Sequence, residues 1–340
     1  MKNKIISFYR KNNKTILLIA RILISVSLIV FLIKTQLKDF HGVIEILKSS
    51  NKILLLLSFS TNFFGIWITA VRWKTLLNTQ KVRLGTGVLT VTVLIGSFFN
   101  NFLPTTIGGD VFRTYDSSKK ANISLGASAS VILVERFSGI VSAITYAVVA
   151  LFLGFTTIGN QSVIIPIVIF FVITITLAFL IINPSVLRLG KLFSRFKYLR
   201  KLKEKLYNVY RTLMSFKKYK MALIKVLIFS FLLQFTVILN YFLAARALGI
   251  NLTHGLTAFI FIVPVVATIA MIPISIGGIG LRENSLVFIL VAMGTANEKA
   301  ALCSLLIFLM LILLGMAGGI VYIVRPYFEG RLKKTAPGND

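Results

Sequence analysis

Two stretches of this chain carry helix-breaking residues and charges at the same spacing. One reads FFNNFLPTTIGGDVFR (98–113) and the other ATIAMIPISIGGIGLRE (267–283). Both contain Pro-x-x-Ile-Gly-Gly-x-x-x-Arg, and Pro273 follows Pro104 at an offset of 169 residues. Pro104, Gly108, Gly109, Pro273, Gly277, Gly278 and Gly280 are the expected helix-break residues. Proline lacks an N–H and clashes with the preceding turn, and glycine reaches backbone geometries that other residues avoid. Broken helix ends expose amides that can receive a phosphate or a carboxylate. Asn101, Asp110, Arg113, Glu135, Arg136, Arg282 and Glu283 are the candidate substrate-binding residues. The guanidinium fork suits a phosphodiester. Asp110 and Glu135 would pair with Arg113, Arg136 or Arg282, or carry a proton. The plainer readings are tight glycine packing between helices and helix-end charges reaching for the interface. For Lys119 and Lys120 the plainer reading is preferred.

The elements that must position these residues are membrane spans. Of the 340 residues 56% are hydrophobic and only 14% charged, and mean hydropathy is +0.88. Several apolar runs are long enough to cross a hydrocarbon core. Spans are expected at about 16–33, 52–70, 131–153, 163–182, 221–243 and 302–324. The mixed loop 34–50 would lie outside, and shorter apolar segments precede and follow the motifs. The first run reads as a retained helix rather than a cleaved signal. The chain is therefore expected to be all-α, a polytopic helical membrane protein forming one integral membrane domain over 1–340. The formal net charge of +28 falls between spans, as the positive-inside rule demands, so nucleic acid is not an expected partner. Cys303 is the single cysteine and His41 and His254 the two histidines. An intramolecular disulfide is excluded, and no metal site or cofactor is expected.

The charges also set the sidedness. Lys2, Lys4, Arg10, Lys11 and Lys14 place the N-terminus in the cytoplasm, and Arg325, Arg331, Lys333 and Lys334 the C-terminus. The basic linker, about 183–220, holds twelve Lys or Arg and one acid, Glu204. It too is read as cytoplasmic, and the uncharged loop 154–162 as external. Counting sides, 86–130 starts and ends inside, and 255–300 starts and ends outside. Each is two crossings or a re-entrant pair. A first repeat over about 51–153 and a second over about 221–325 then face opposite ways. This is an inverted-topology repeat with paired broken or re-entrant helices, an arrangement many secondary transporters use.

No GxxxxGK[ST] loop and no GxSxG elbow occurs, so primary ATP-driven transport and a stand-alone soluble catalytic activity are both poorly supported. The combination SFFNNFLPTTIGGDVFR, ERFSG and PISIGGIGLRE resembles the flippase-like membrane domains related to the transmembrane region of lysylphosphatidylglycerol synthases, over about residues 15–325. The matching positions are Asn101, Pro104, Gly108, Gly109, Asp110, Arg113, Glu135, Arg136, Gly139, Pro273, Gly277, Gly278, Gly280, Arg282 and Glu283. The resemblance implies a cytoplasmic-membrane protein that moves a phospholipid or isoprenoid-linked lipid across the bilayer. The soluble aminoacyl-transfer domain of two-domain relatives is not expected here, and an enzyme is the less favoured class. Two alternatives stay open, a non-transporting scaffold of a cell-envelope enzyme and an intramembrane lipid-modifying enzyme using Asp110 or Glu135. The expected partners are membrane lipids with anionic head groups, with a second copy of the chain or an envelope enzyme as further candidates.

Overall fold

The computed structural model describes residues 2–37, 40–102, 108–154, 211–270 and 274–335. Ten α-helices are named among them: α1 (Lys2–Gln36), α2 (Phe40–Ser49), α3 (Lys52–Thr79), α4 (Thr86–Phe102), α5 (Gly108–Ala121), α6 (Leu125–Gly154), α7 (Lys220–Ala247), α8 (Leu256–Ile269), α9 (Leu281–Ala292) and α10 (Asn297–Thr335). Five have the length and apolar composition to cross a bilayer: α1, α3, α6, α7 and α10. The protein is an all-α polytopic membrane protein. The span expected at 163–182, the loop 154–162 after Gly154, and the linker up to residue 210 lie outside the described residues. So do Pro104 and Pro273.

The remaining apolar helices are short. At 1.5 Å per residue the 17 residues of α4 reach about 26 Å, and the 14 of α8 about 21 Å, against a hydrocarbon core of about 30 Å. Three sequence boundaries shift. The stretch read as loop 34–50 contains α2, a ten-residue helix. The span expected from 131 starts at Leu125, because the Ser124 hydroxyl accepts from the Ala127 amide at 3.2 Å and caps the helix. The last helix begins five residues before the apolar run, at Asn297. Asn51 caps α3 in the same way, accepting from Ile53 and Leu54 at 3.0 and 3.1 Å. Along α3 the hydroxyls of Ser60, Thr69 and Thr75 bond back to carbonyls four residues earlier, so these polar groups are satisfied inside the helix, as lipid requires.

The chain forms two compact units. The first comprises Met1–Phe63, Val91–Arg113 and Leu239–Asp340, and the second Phe64–Thr90 and Thr114–Ile238. Both glycine motifs fall in the first unit, and the expected first repeat is divided between the two. In the first unit α9 packs on α10, α8 and α1, and α1 on α10. α10 presents Gly315, Gly318 and Gly319 to α4. A Cβ at Gly318 would lie against the Leu94 carbonyl, and one at Gly319 would stand 2.7 Å from the Phe98 ring. Only a small-residue face permits that approach. In the second unit α3, α6 and α7 surround a buried polar group.

Candidate functional site

In the first unit the site is built where α4, α5, α9 and α1 meet. Gly108 and Gly109, both buried, open α5. The Gly109 amide donates to Asn100 Oδ1 at 2.8 Å. A Cβ at Gly109 would press on the Gly96 carbonyl and stand 2.7 Å from the Asn100 amide group. The stem of Arg113 lies across Gly96, and its Nη1 is 3.6 Å from Asp110 Oδ1. Stacking of Phe99 on Phe112 (ring centroids 4.8 Å) and the edge of Tyr322 on both rings fix α5 against α4 and α10. Asn101 donates to the Leu311 carbonyl at 2.7 Å, so this candidate holds a helix–helix contact.

The second motif forms a turn before α9, with Gly277, Gly278 and Gly280 at φ of 58°, 79° and 84°. It is pinned from outside the motif. The Ile276 amide donates to Ser25 Oγ at 2.9 Å, and the Asn284 side chain donates to the Leu28 carbonyl at 3.0 Å. Glu283 is 1% exposed. Its Oε2 accepts from the Gly280 amide at 2.6 Å, and its Oε1 from Arg282 Nε and Nη2 at 2.9 and 2.6 Å. The Ser304 hydroxyl donates to the Glu283 carbonyl at 3.0 Å. The two motifs meet here, since a Cβ at Gly277 would stand 3.6 Å from the Asn100 carbonyl. Asn100 therefore serves both motifs, its side chain capping α5 and its carbonyl facing the α9 turn.

This corrects one sequence expectation. The amides at Gly109 and Gly280 are not open to an external anion, because Asn100 takes the first and Glu283 the second. A carboxylate does sit at the α9 N-terminus, as the helix dipole favours, but it is the chain's own. Arg282 is a paired cation whose side chain is 20% exposed.

In the second unit Glu135 pairs with a residue read from sequence only as a cytoplasmic flank. Arg72 Nη2 donates to Glu135 Oε1 at 2.8 Å, and Arg72 Nη1 to Ser230 Oγ at 3.0 Å. Ser230 Oγ lies 2.9 Å from Ser138 Oγ, whose hydroxyl reaches the Glu135 carbonyl at 2.8 Å. The Arg72 and Glu135 side chains are 8% and 3% exposed. A charge placed there without a partner is costly, which is why the pair and its two serines occur together. Arg136, the next residue, is exposed. The structure thus assembles Asn101, Asp110, Arg113, Arg282 and Glu283 in one unit, and Glu135 and Arg136 in the other.

Among the described residues no group of three or more His, Cys, Asp or Glu could hold a metal ion. The site consists of paired guanidinium and carboxylate groups together with the carboxamides of Asn100 and Asn101.

The profile of the lysylphosphatidylglycerol synthase TM region matches residues 18–319. The chain belongs to this family. It is similar to a UPF0104 membrane protein of Pyrococcus horikoshii, 23% identical over 305 residues that cover 84% of this chain and 90% of the relative. It is also similar to a UPF0104 membrane protein of Methanocaldococcus jannaschii, 28% identical over 123 residues, 36% of this chain and 35% of that one. The match thus spans about a third of the latter relative's length. The names of these relatives specify no substrate.

Proposed function

We propose that the protein carries a phospholipid or isoprenoid-linked lipid across the cytoplasmic membrane, with both termini in the cytoplasm. The observation that carries this reading is the meeting of the two glycine motifs at Asn100. Two short helices, α5 and α9, begin within one compact unit, each with an Arg–carboxylate pair in its first two turns. The short apolar helices α4 and α8 precede them, and the Lys/Arg sidedness of the sequence gives the two halves opposite orientations. Together these features support an inverted repeat of paired re-entrant helices around a polar path. Arg113 and Arg282 would meet an anionic head group by exchanging part of their internal pairing for the phosphate. Asn101 holds α4 to α10.

The test is flux of fluorescent anionic and neutral lipids in liposomes holding the purified protein. Arg282→Lys keeps the charge and loses the planar fork. It is expected to lower anionic-lipid flux about tenfold, the equivalent of about 1.4 kcal/mol, with membrane yield and elution profile unchanged. Wild-type flux in this variant, at wild-type yield, would remove Arg282 from the path. No flux of either lipid by the wild-type protein would refute transport itself.

A further inference from the structure

The second unit carries a basic concavity that the proposed path does not use. It has a volume of about 950 Å³ and is lined by Lys74, Asn78, Lys81, Arg83, Leu84 and Gly85. Three of its six described lining residues are cations, and no carboxylate is among those six. Lys74 is fixed by donating to Thr86 Oγ1 at 3.0 Å. Lys81 and Arg83 are exposed and form no ion pair among the described residues. Lys81 stands at φ 61°, held there because Val82 and Lys81 donate back to the Leu77 and Asn78 carbonyls at 3.2 and 3.1 Å. The turn that ends α3 thus points its cations into one hollow.

The helix face that enters this hollow continues toward lipid. At 100° per residue, Lys74 and Asn78 each fall within about 20° of Trp67 around α3, one on either side. Trp67 is 45% exposed and stacks on the 48% exposed Phe64 at a centroid distance of 5.6 Å. Lys74 is seven residues beyond Trp67, about 10 Å along the axis. One face therefore offers cations at its end and a flat aromatic surface below, in a helix that has the composition of a span. A free phosphate or a nucleic acid would use the cations and leave the aromatic pair idle. A ligand with a phosphate at one end and an acyl chain at the other uses both.

We propose that this face binds an anionic phospholipid as a resident ligand, with the phosphate among Lys74, Lys81 and Arg83 and an acyl chain against Phe64 and Trp67. The site is independent of the transport path, and its test reads binding rather than flux.

The chain has two tryptophans, and Trp73 is fully buried, so a quencher in the acyl chain reports on Trp67. The protein is reconstituted with brominated phosphatidylglycerol or brominated phosphatidylcholine at equal mole fraction, and the relative affinity is read from tryptophan quenching. Brominated phosphatidylglycerol is expected to quench preferentially. Lys81→Asn with Arg83→Gln should weaken that preference about fivefold per charge removed. Asparagine is chosen at 81 because it tolerates a positive φ. Restoring the charge with Arg83→Lys should return about fivefold. Three results would overturn the proposal: equal quenching by both lipids in the wild-type protein, an unchanged preference in the double variant, or loss of the preference to millimolar inorganic phosphate at matched ionic strength. The last would assign the hollow to a soluble anion.

Discussion

Removing Glu135 should destabilise this protein far more than removing both members of its pair. Glu135→Leu leaves the Arg72 guanidinium, 8% exposed, with Ser230 as its remaining hydrogen-bond partner. Breaking a buried ion pair from one side costs about 3–5 kcal/mol, whereas replacing both charges by apolar residues of similar size is often neutral or stabilising. At roughly 2–4 °C per kcal/mol for a chain of a few hundred residues, Glu135→Leu and Arg72→Met should each lower the melting midpoint by about 6–20 °C. Arg72→Met with Glu135→Leu should return most of it. The coupling between the two sites, measured as a double-mutant cycle, should then exceed about 2 kcal/mol. Retention of the monodisperse peak after heating in detergent, followed by size exclusion, gives all four values. Two single variants within about 2 °C of wild type would refute the reasoning, because the charges would then be hydrated despite their burial. A double variant that is stable and transports at the wild-type rate would assign the Arg72–Glu135 pair to folding alone.

Gly280→Ala meets two obstacles at once. It sits at φ 84°, and its new methyl would press on Leu28 Cβ and stand 3.1 Å from Leu28 Cδ1 and 3.2 Å from the Ser25 carbonyl. Positive-φ strain of about 1–2 kcal/mol and overpacking of about 1–3 kcal/mol should lower thermal stability, and Leu28→Gly, which removes the Cβ at the closest contact, should rescue part of it. No rescue would mean that α1 yields freely at this contact. Single cysteines at positions 78 and 124 should both react with a membrane-impermeant thiol reagent from the cytoplasmic side, and one at 248 from the external side. Labelling of 78 and 124 from opposite sides would remove the paired-segment reading and the inverted repeat.

Much of this was legible in the primary structure because it depends on local spacing. Apolar runs of span length, the basic flanks and the repeated Pro-x-x-Ile-Gly-Gly-x-x-x-Arg are properties of neighbouring residues. Hydropathy and backbone sterics act on neighbours without reference to the rest of the chain. The partners of the charges were not legible in this way. Arg72 follows an apolar run and precedes Lys74, so by spacing it is a flank, and only folding brings Glu135 to it across 63 positions of sequence. The signal that could have found it was the cost of Glu135 itself, a carboxylate inside a span that demands a cation. Asn100 carries no mark that separates it from Asn101, yet its neighbour holds α10 while Asn100 caps α5 and faces Gly277. Likewise α1 lies outside the expected repeat, and Ser25 and Leu28 read as ordinary span residues until they are seen bracing the α9 turn. Residue types and their periodicity determined that this chain builds membrane helices and interrupts two of its apolar segments. Tertiary structure decided that the interruptions meet, that Glu283 rather than an outside anion caps α9, and which cation each carboxylate holds. Burial makes an unpaired polar group expensive only once distant segments have closed over it.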